Sequence, residues 1–189
     1  MKLVSKVLGS TILTGAVLFT GMQAGQANAE EEHYSQVTKD NAIEILKTVN
    51  KGVQQDYTEP QHQDNVYKVT GLNSGHTAQH YYIHQDGVVE ASENGAGTGI
   101  HVIGQYKLTP KFSTVNSKTV EDFTKYYIQN PGIYAGGKEG DYYSVSRVYS
   151  GRAAAHYKVY KDGTITAAEN GVGYPPFTKV GKFPLKNKQ

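Results

Sequence analysis

The chain has 189 residues and contains neither cysteine nor tryptophan. Without thiols it forms no disulfide, no thiolate metal site and no thiol nucleophile, and no lipid can be attached at a lipobox. Its stability must come from its core. Both methionines, Met1 and Met22, lie in the first thirty residues. The one extended apolar stretch, residues 7–19, is broken by Gly, Ser and Thr and is shorter than the ~20 residues a membrane span needs. No Gly-x-Ser-x-Gly elbow and no His-Glu-x-x-His motif occurs, so no pattern names a reaction. Nor does one sign of charge dominate. Setting aside Lys2 and Lys6 leaves 17 of the 19 basic residues against 17 acidic ones. A neutral balance argues against nucleic acid and anionic membrane as primary partners.

Residues 1–29 read as a secretory signal. Lys2 and Lys6 supply the positive start, residues 7–19 the apolar part, and Ala27-Asn28-Ala29 a small-x-small cleavage site, so the mature chain is expected to begin at Glu30. The C-terminal residues 184–189 show no hydrophobic tail and no wall-sorting pattern. The expectation is a protein released outside the cell or held loosely at its surface, with no membrane contact after cleavage. A secreted chain without cysteine is usual for Gram-positive bacteria.

What the mature chain does have is a repeat. The stretch from His80 to Gly95 returns from His156 to Gly171, 76 residues later. Fourteen residues between 65 and 97 recur at that offset, among them Tyr67, Val69, His80, Tyr81, Asp86 and Gly87. An internal duplication follows.

Asp86-Gly87 and Asp162-Gly163, set between β-rich runs, signal hairpins. The apolar pattern fixes the register. A three-residue loop, Gln85-Asp86-Gly87, puts Ile83 opposite Val89 and Tyr81 opposite Ala91, all on one face. In the second copy Val159 meets Ile165 and Tyr157 meets Ala167. A one-residue slip would scatter these residues over both faces. Gly87 and Gly163 are then expected at positive φ. The opposite face carries His80, Tyr82, His84, Glu90 and Ser92 in one copy and His156, Lys158, Tyr160, Thr166 and Ala168 in the other.

Around the hairpins, residues 40–53 show helical spacing through Ala42, Ile45, Leu46, Val49 and Val53, with Asp40 as N-cap. Residues 117–129 form the second helix on Val120, Phe123 and Tyr127, aligned at an offset of 77 so that Val120 matches Ile43. Strands are expected at 65–72, 77–85, 88–92 and 100–108, and again at 141–149, 153–161, 164–168 and 178–185. Residues 54–64 and the Gly-rich 134–140 read as loops, the latter carrying Tyr134 at its tip. The fold class is therefore α+β: two tandem repeats, 30–109 and 110–189, each a helix followed by a four-stranded antiparallel sheet.

This order resembles the tandem-repeat architecture of the β-lactamase inhibitor protein family. It is also similar to PepSY-type domains, in which a helix precedes a Tyr-x-Val strand and an Asp-Gly hairpin. Tyr67-Lys68-Val69 with Asp86-Gly87, and Tyr143-Ser144-Val145 with Asp162-Gly163, carry that likeness. The chain departs from the inhibitor repeats in having no cysteine. The resemblance implies a secreted protein-binding or inhibitory module and assigns no functional residue.

Other chemistries fit less well. His76, His80 and His84 lie four apart on one strand, about 13 Å end to end for each step of four, too far to share one metal. His80 with Glu93, and His156 with Glu169, could be drawn as acid–base pairs for a hydrolase. Their occurrence in both copies favours a structural role. The Glu-Asn-Gly-x-Gly segments at 93–97 and 169–173 lack the Lys-Ser or Lys-Thr of a phosphate loop and read as left-handed turns at Asn-Gly. No catalytic residue, metal ligand or cofactor is assigned. The residues expected to bind are His80, Tyr82, His84, Tyr134, His156, Lys158 and Tyr160. The partner expected first is an extracellular protein, with the chain acting as an inhibitor or interaction module. The second expectation is a cell-wall or glycan polymer. The 15 tyrosines serve either cores or binding surfaces.

Overall fold

The architecture follows from which residues the chain can hide from water. A computed structural model describes residues 33–63, 65–168, 173 and 175–186; the expected signal segment lies outside them. The elements run α1 (Ala42–Val49), β1 (Asp56–Tyr57), β2 (Gln61–Gln63), β3 (Val66–Asn73), β4 (His76–His84), β5 (Val88–Ala91) and β6 (His101–Gln105). They continue with α2 (Val120–Ile128), β7 (Ile133–Glu139), β8 (Tyr142–Tyr149), β9 (Arg152–Tyr160), β10 (Thr164–Ala168) and β11 (Thr178–Lys182). Two antiparallel sheets result, in a strand-rich mixed fold. The first has the order β1-β3-β4-β5-β6, with β2 also paired to β3. The second has the order β11-β10-β9-β8-β7.

The register of both hairpins is the one the apolar pattern requires. Tyr81 pairs with Ala91 and Ile83 with Val89; Tyr157 pairs with Ala167 and Val159 with Ile165. The Gly87 amide donates to the His84 carbonyl (2.9 Å) and the Gly163 amide to the Tyr160 carbonyl (3.0 Å). Both glycines sit at φ 87°, a left-handed value that an L side chain resists. Behind each turn runs the backbone that follows the last strand. The Tyr106 amide donates to the Gly87 carbonyl (2.8 Å) and the Phe183 amide to the Gly163 carbonyl (3.1 Å).

Each sheet lays its apolar face on one helix. Ala42, Ile45 and Leu46 of α1 join Val69, Tyr81, Ile83 and Val89 in one core cluster. Val120, Phe123 and Tyr127 of α2 join Val145, Tyr157, Val159 and Ile165 in another. Each large side chain fully withdrawn from water contributes about 1.5–3 kcal/mol of transfer free energy, so a helix of two turns is held by packing rather than by its own propensity. In the second cluster the Tyr127 and Phe183 rings stack with centroids 4.1 Å apart.

The helices begin later than their spacing suggests. Asp40 is exposed and α1 starts at Ala42, not 40. The residue before it organises the entry. Asn41 Oδ1 accepts from the Thr38 amide (2.7 Å) and Asn41 Nδ2 donates to the Gln36 carbonyl (3.0 Å). In α2 Thr119 does the same: its hydroxyl accepts from the Asn116 amide (3.1 Å) and donates to the Thr114 carbonyl (2.9 Å). The matching offset is therefore 78, Val120 with Ala42, and not the 77 read from apolar spacing alone. Four-stranded sheets are also too few. Residues 56–57, 61–63 and 133–139 add strands where loops were expected. All three are edge strands, which have one face or neither to bury and so need no apolar alternation. At the outer edge Glu121 Oε1 accepts from the Gly136 amide (2.9 Å).

The two sheets belong to one compact unit, Glu32–Gln189, and the first hairpin turn joins them. Gln85, 1% exposed, donates through Nε2 to the Ile128 carbonyl at the end of α2 (2.9 Å). Asp86 Oδ2 accepts from the Lys182 amide on β11 (3.2 Å). Gly181 makes room for it, since a Cβ there would lie 2.6 Å from Asp86 Cβ. Gln129, left-handed at φ 59°, donates to the Val37 carbonyl (2.6 Å) and accepts from the Tyr67 hydroxyl (3.3 Å).

Two outcomes follow. Gly163→Ala forces a left-handed Ala, costing about 1–2 kcal/mol, and drives its Cβ into the Phe183 carbonyl oxygen. Gly151→Ala, at φ 76° but in open space, meets only the first penalty. Urea denaturation should show the larger loss for Gly163→Ala; equal losses would mean the backbone behind the turn gives way. Burial also pushes the Tyr127 phenol up to about 12, and raises those of Tyr57, Tyr67 and Tyr81. The unfolded chain loses these protons near pH 10 while the folded chain keeps them. Stability present below pH 10 is thus lost as pH rises toward 12. Tyr127→Phe should remove roughly 2 kcal/mol of that alkaline loss, read from urea midpoints at pH 9 and pH 11.5; an unchanged slope would contradict the assignment.

Candidate binding surfaces

Strand alternation sends every second residue away from the helices, and that rule builds the outer faces. On the first sheet Lys68 of β3, Tyr82 of β4, Glu90 of β5 and Val102 of β6 lie in one cross-strand row. On the second sheet the same row reads Ser144 of β8, Lys158 of β9, Thr166 of β10 and Lys179 of β11. One scaffold therefore presents two different chemistries.

The expected binding residues separate into three groups. His80, Tyr82 and His84 share the outer face of the first sheet. His80 Nδ1 is 3.0 Å from the Thr70 hydroxyl. His84 Nε2 is 3.0 Å from Glu90 Oε2, a half-buried pair. The Lys68 ammonium sits 5.9 Å from the Tyr82 ring centroid. His156, Lys158 and Tyr160 share the outer face of the second sheet, where His156 Nδ1 is 2.9 Å from the Ser146 hydroxyl. Tyr134 belongs to neither. It is not a loop tip but the one inward residue of β7, 7% exposed. Its ring stacks on Tyr157 with centroids 6.1 Å apart, and its hydroxyl donates to the Asn130 carbonyl (2.9 Å). The glycines around it are strand residues paired with β8.

The first of the drawn acid–base pairs is not what the structure assembles. Thr70 takes the place of a carboxylate beside His80, and the Glu93 side chain lies against Gly99. Glu169 is outside the described residues. The loop after β5 closes over the first face: the Glu93 amide donates to the Thr98 carbonyl (3.0 Å), and a Cβ on Gly97 would come 3.3 Å from His80 Cδ2. Its left-handed residues are Gly97 and Gly99 rather than Asn94 and Gly95. Among the described residues no group of three or more His, Asp or Glu is placed to hold a metal ion. No described helix is long and apolar enough to cross a membrane.

Three residues of the second face were not found from the sequence. Tyr142 lies on the neighbouring strand, its ring 5.9 Å from that of Tyr160. Phe177 comes from the segment leading into β11. The Lys158 ammonium lies between them, 4.8 Å from the Tyr142 centroid and 4.4 Å from that of Phe177. Lys179 completes the row. The even numbering of Tyr142 on a strand paired with β9 was the available signal; Phe177 follows an irregular segment with no period to read.

The neutral balance of residues 30–189 also conceals a division. Residues 30–109 hold five Lys against eleven Asp or Glu, whereas residues 110–189 hold twelve Lys or Arg against six. Six of the seven histidines fall in the first half. The basic half is the one that carries the Lys158 face.

A groove of about 810 Å³ opens where the two hairpin turns approach. Tyr106 and Phe183, Leu108 and Leu185, and Asp86 and Asp162 face it in matching pairs. Lys182 Nζ is 2.9 Å from Asp162 Oδ2 across its rim.

No protein-family model, curated protein or solved structure matches this chain.

The hydrogen bond from Lys182 holds the Asp162 carboxyl below its ordinary value, against some desolvation. A depressed carboxylate adds stability above the unfolded value near 3.8 and loses it as pH falls through the folded one. The pair is more than half exposed, so its worth is under about 1 kcal/mol. Lys182→Gln should therefore be slightly less stable than wild type at pH 6 and equal to it at pH 2 in urea titrations. A difference that persists at pH 2 would assign the effect to something other than this pair.

Proposed function

We propose that this chain is a secreted, non-catalytic binding protein that meets its partner through the outer face of its second sheet. The observation that carries this reading is the contrast between the two faces. The hydroxyl–histidine contact occurs on both, Thr70 with His80 and Ser146 with His156, and fits a structural role. The Tyr142–Lys158–Phe177 arrangement occurs on one, and fits a role the fold does not need. Secretion rests on the signal-like residues 1–29 and on stability achieved without cysteine. The opposed charges of the halves and their matching turns support an origin by duplication of one helix-plus-sheet unit, with the second copy specialised. The likeness to tandem inhibitor and PepSY-type modules fits that history.

Of the partner classes, a cell-surface polymer is supported better than a protein. Protein hot spots centre on large side chains in dry pockets. The burial of Tyr134 removes one expected anchor, and the exposed apolar residues Val53, Ile100, Val102, Ile133 and Tyr149 lie off the Lys158 row. An inhibitor of an extracellular protein is the second reading, supported by the separation of charge between the halves, which favours steering toward a protein of complementary charge.

The test offers residues 30–189 to isolated cell-wall polymer by sedimentation, and in parallel to concentrated secreted proteins by pull-down. Sedimentation that Lys158→Ala with Tyr160→Ala abolishes supports the polymer reading. A near-equimolar protein complex lost with the same pair supports the inhibitor reading. Retention of either interaction by the double variant, or no interaction at micromolar protein, would refute a site on this face.

A further inference from the structure

The second sheet's outer face has the composition of a site for a charged sugar chain, and its counterpart on the first sheet shows what sets it apart. Lys158 and Lys179 lie in one row on either side of Thr166. At the equivalent positions the first sheet has Tyr82, Val102 and Glu90. Two cations thus replace two neutral side chains, and a hydroxyl replaces a carboxylate. The surrounding side chains on the second face include Ser144, Ser146, His156, Tyr142, Tyr160 and Phe177, which supply hydroxyls, an imidazole and aromatic rings. Among the described residues Glu139 lies at the far edge opposite Tyr142, and Asp162 is engaged by Lys182.

The geometry is already arranged for an anion. Lys158 is held over two ring faces, which restricts its rotamers, so less conformational freedom is lost on binding. Thr166 Oγ1 is buried with no hydrogen-bond partner among the described residues, an uncompensated group on the row between the two lysines. The basic half as a whole carries twelve Lys or Arg against six acids, which raises the local concentration of a polyanion near this face.

We infer that this face binds an anionic polysaccharide, a chain of sugars bearing carboxylate or phosphate. The lysines pair with its charges and the rings of Tyr142, Tyr160 and Phe177 stack on its sugars. This rests on the binding function proposed above and names the partner of that site. A carboxylated and a phosphorylated sugar chain share this chemistry.

The experiment is calorimetric titration of residues 30–189 with oligogalacturonate, with phosphorylated mannan, with methyl-esterified oligogalacturonate and with poly-L-glutamate, at two salt concentrations. Binding is expected for at least one of the two anionic carbohydrate polymers. It should be at least tenfold weaker for the neutral ester or for Lys158→Gln with Lys179→Gln. It should be several-fold weaker for Phe177→Ala or Tyr160→Ala and unchanged for Tyr82→Ala. Circular dichroism and thermal melts confirm that each variant folds. Equal binding of poly-L-glutamate with no loss in the ring variants would overturn the proposal in favour of an acidic protein surface. Binding of none of the polymers would overturn it too. A protein complex captured through the same face in that case would leave the binding function standing and remove only the sugar chain.

Discussion

The turn at Gln85 and Asp86 is where the two sheets become one molecule. Both side chains leave water at the same point, one to reach the end of α2 and the other to reach the backbone of β11. Gln85 Nε2 and the Asp86 carboxylate find partners there, while Gln85 Oε1 is buried without one among the described residues; an unmet polar group costs about 1–3 kcal/mol. The relation between the sheets is therefore specified by hydrogen-bond geometry and not by apolar contact alone. The second hairpin shows the contrast. Its equivalent residues, Lys161 and Asp162, stay exposed, and Asp162 finds a lysine side chain at the rim. Two turns of the same shape thus have different tasks, one joining the halves and the other bordering the groove.

Tyrosine makes this division of labour possible in a chain without tryptophan or disulfides. Tyr81, Tyr127 and Tyr157 are fully buried and supply the bulk that fills each helix–sheet interior. For two of them the edges of the core supply a partner for the hydroxyl: Tyr81 donates to Gln79 Oε1 (2.8 Å), and Arg147 Nε donates to the Tyr157 oxygen (3.3 Å). On the outer faces the same residue type presents its ring to lysine. Residue type alone does not separate these uses. Position relative to the pleat does.

That explains how much was legible beforehand. Alternation over Tyr81, Ile83, Val89 and Ala91 determines a face, and with it the register and the left-handed glycine, because a slip would expose the whole set. The helices were visible in their apolar spacing, but their first residues were not. The entry depends on Asn41 and Thr119 bonding backward into the preceding turn, a local polar arrangement without periodicity. Strands β1, β2 and β7 were missed because an edge strand gains its stability from pairing with a neighbour. The Tyr134 error has the same origin: one inward ring among glycines looks like a loop until the partner strand is known. Of the second face, His156, Lys158 and Tyr160 could be read from one strand, whereas Phe177 comes from a segment whose approach is decided by tertiary packing.

The carboxylate of Glu121 on the Gly136 amide has a consequence for how the molecule behaves among copies of itself. A sheet edge grows by offering its free amides to a neighbour's carbonyls. Here the central amide of β7 is already occupied, and by a charged group whose displacement would require finding it another partner. Two adjoining glycines would otherwise make that strand smooth, flexible and easy to approach. The helix thus acts as a sentry over the sheet border, leaving the strand one free amide fewer on which a second copy could template itself.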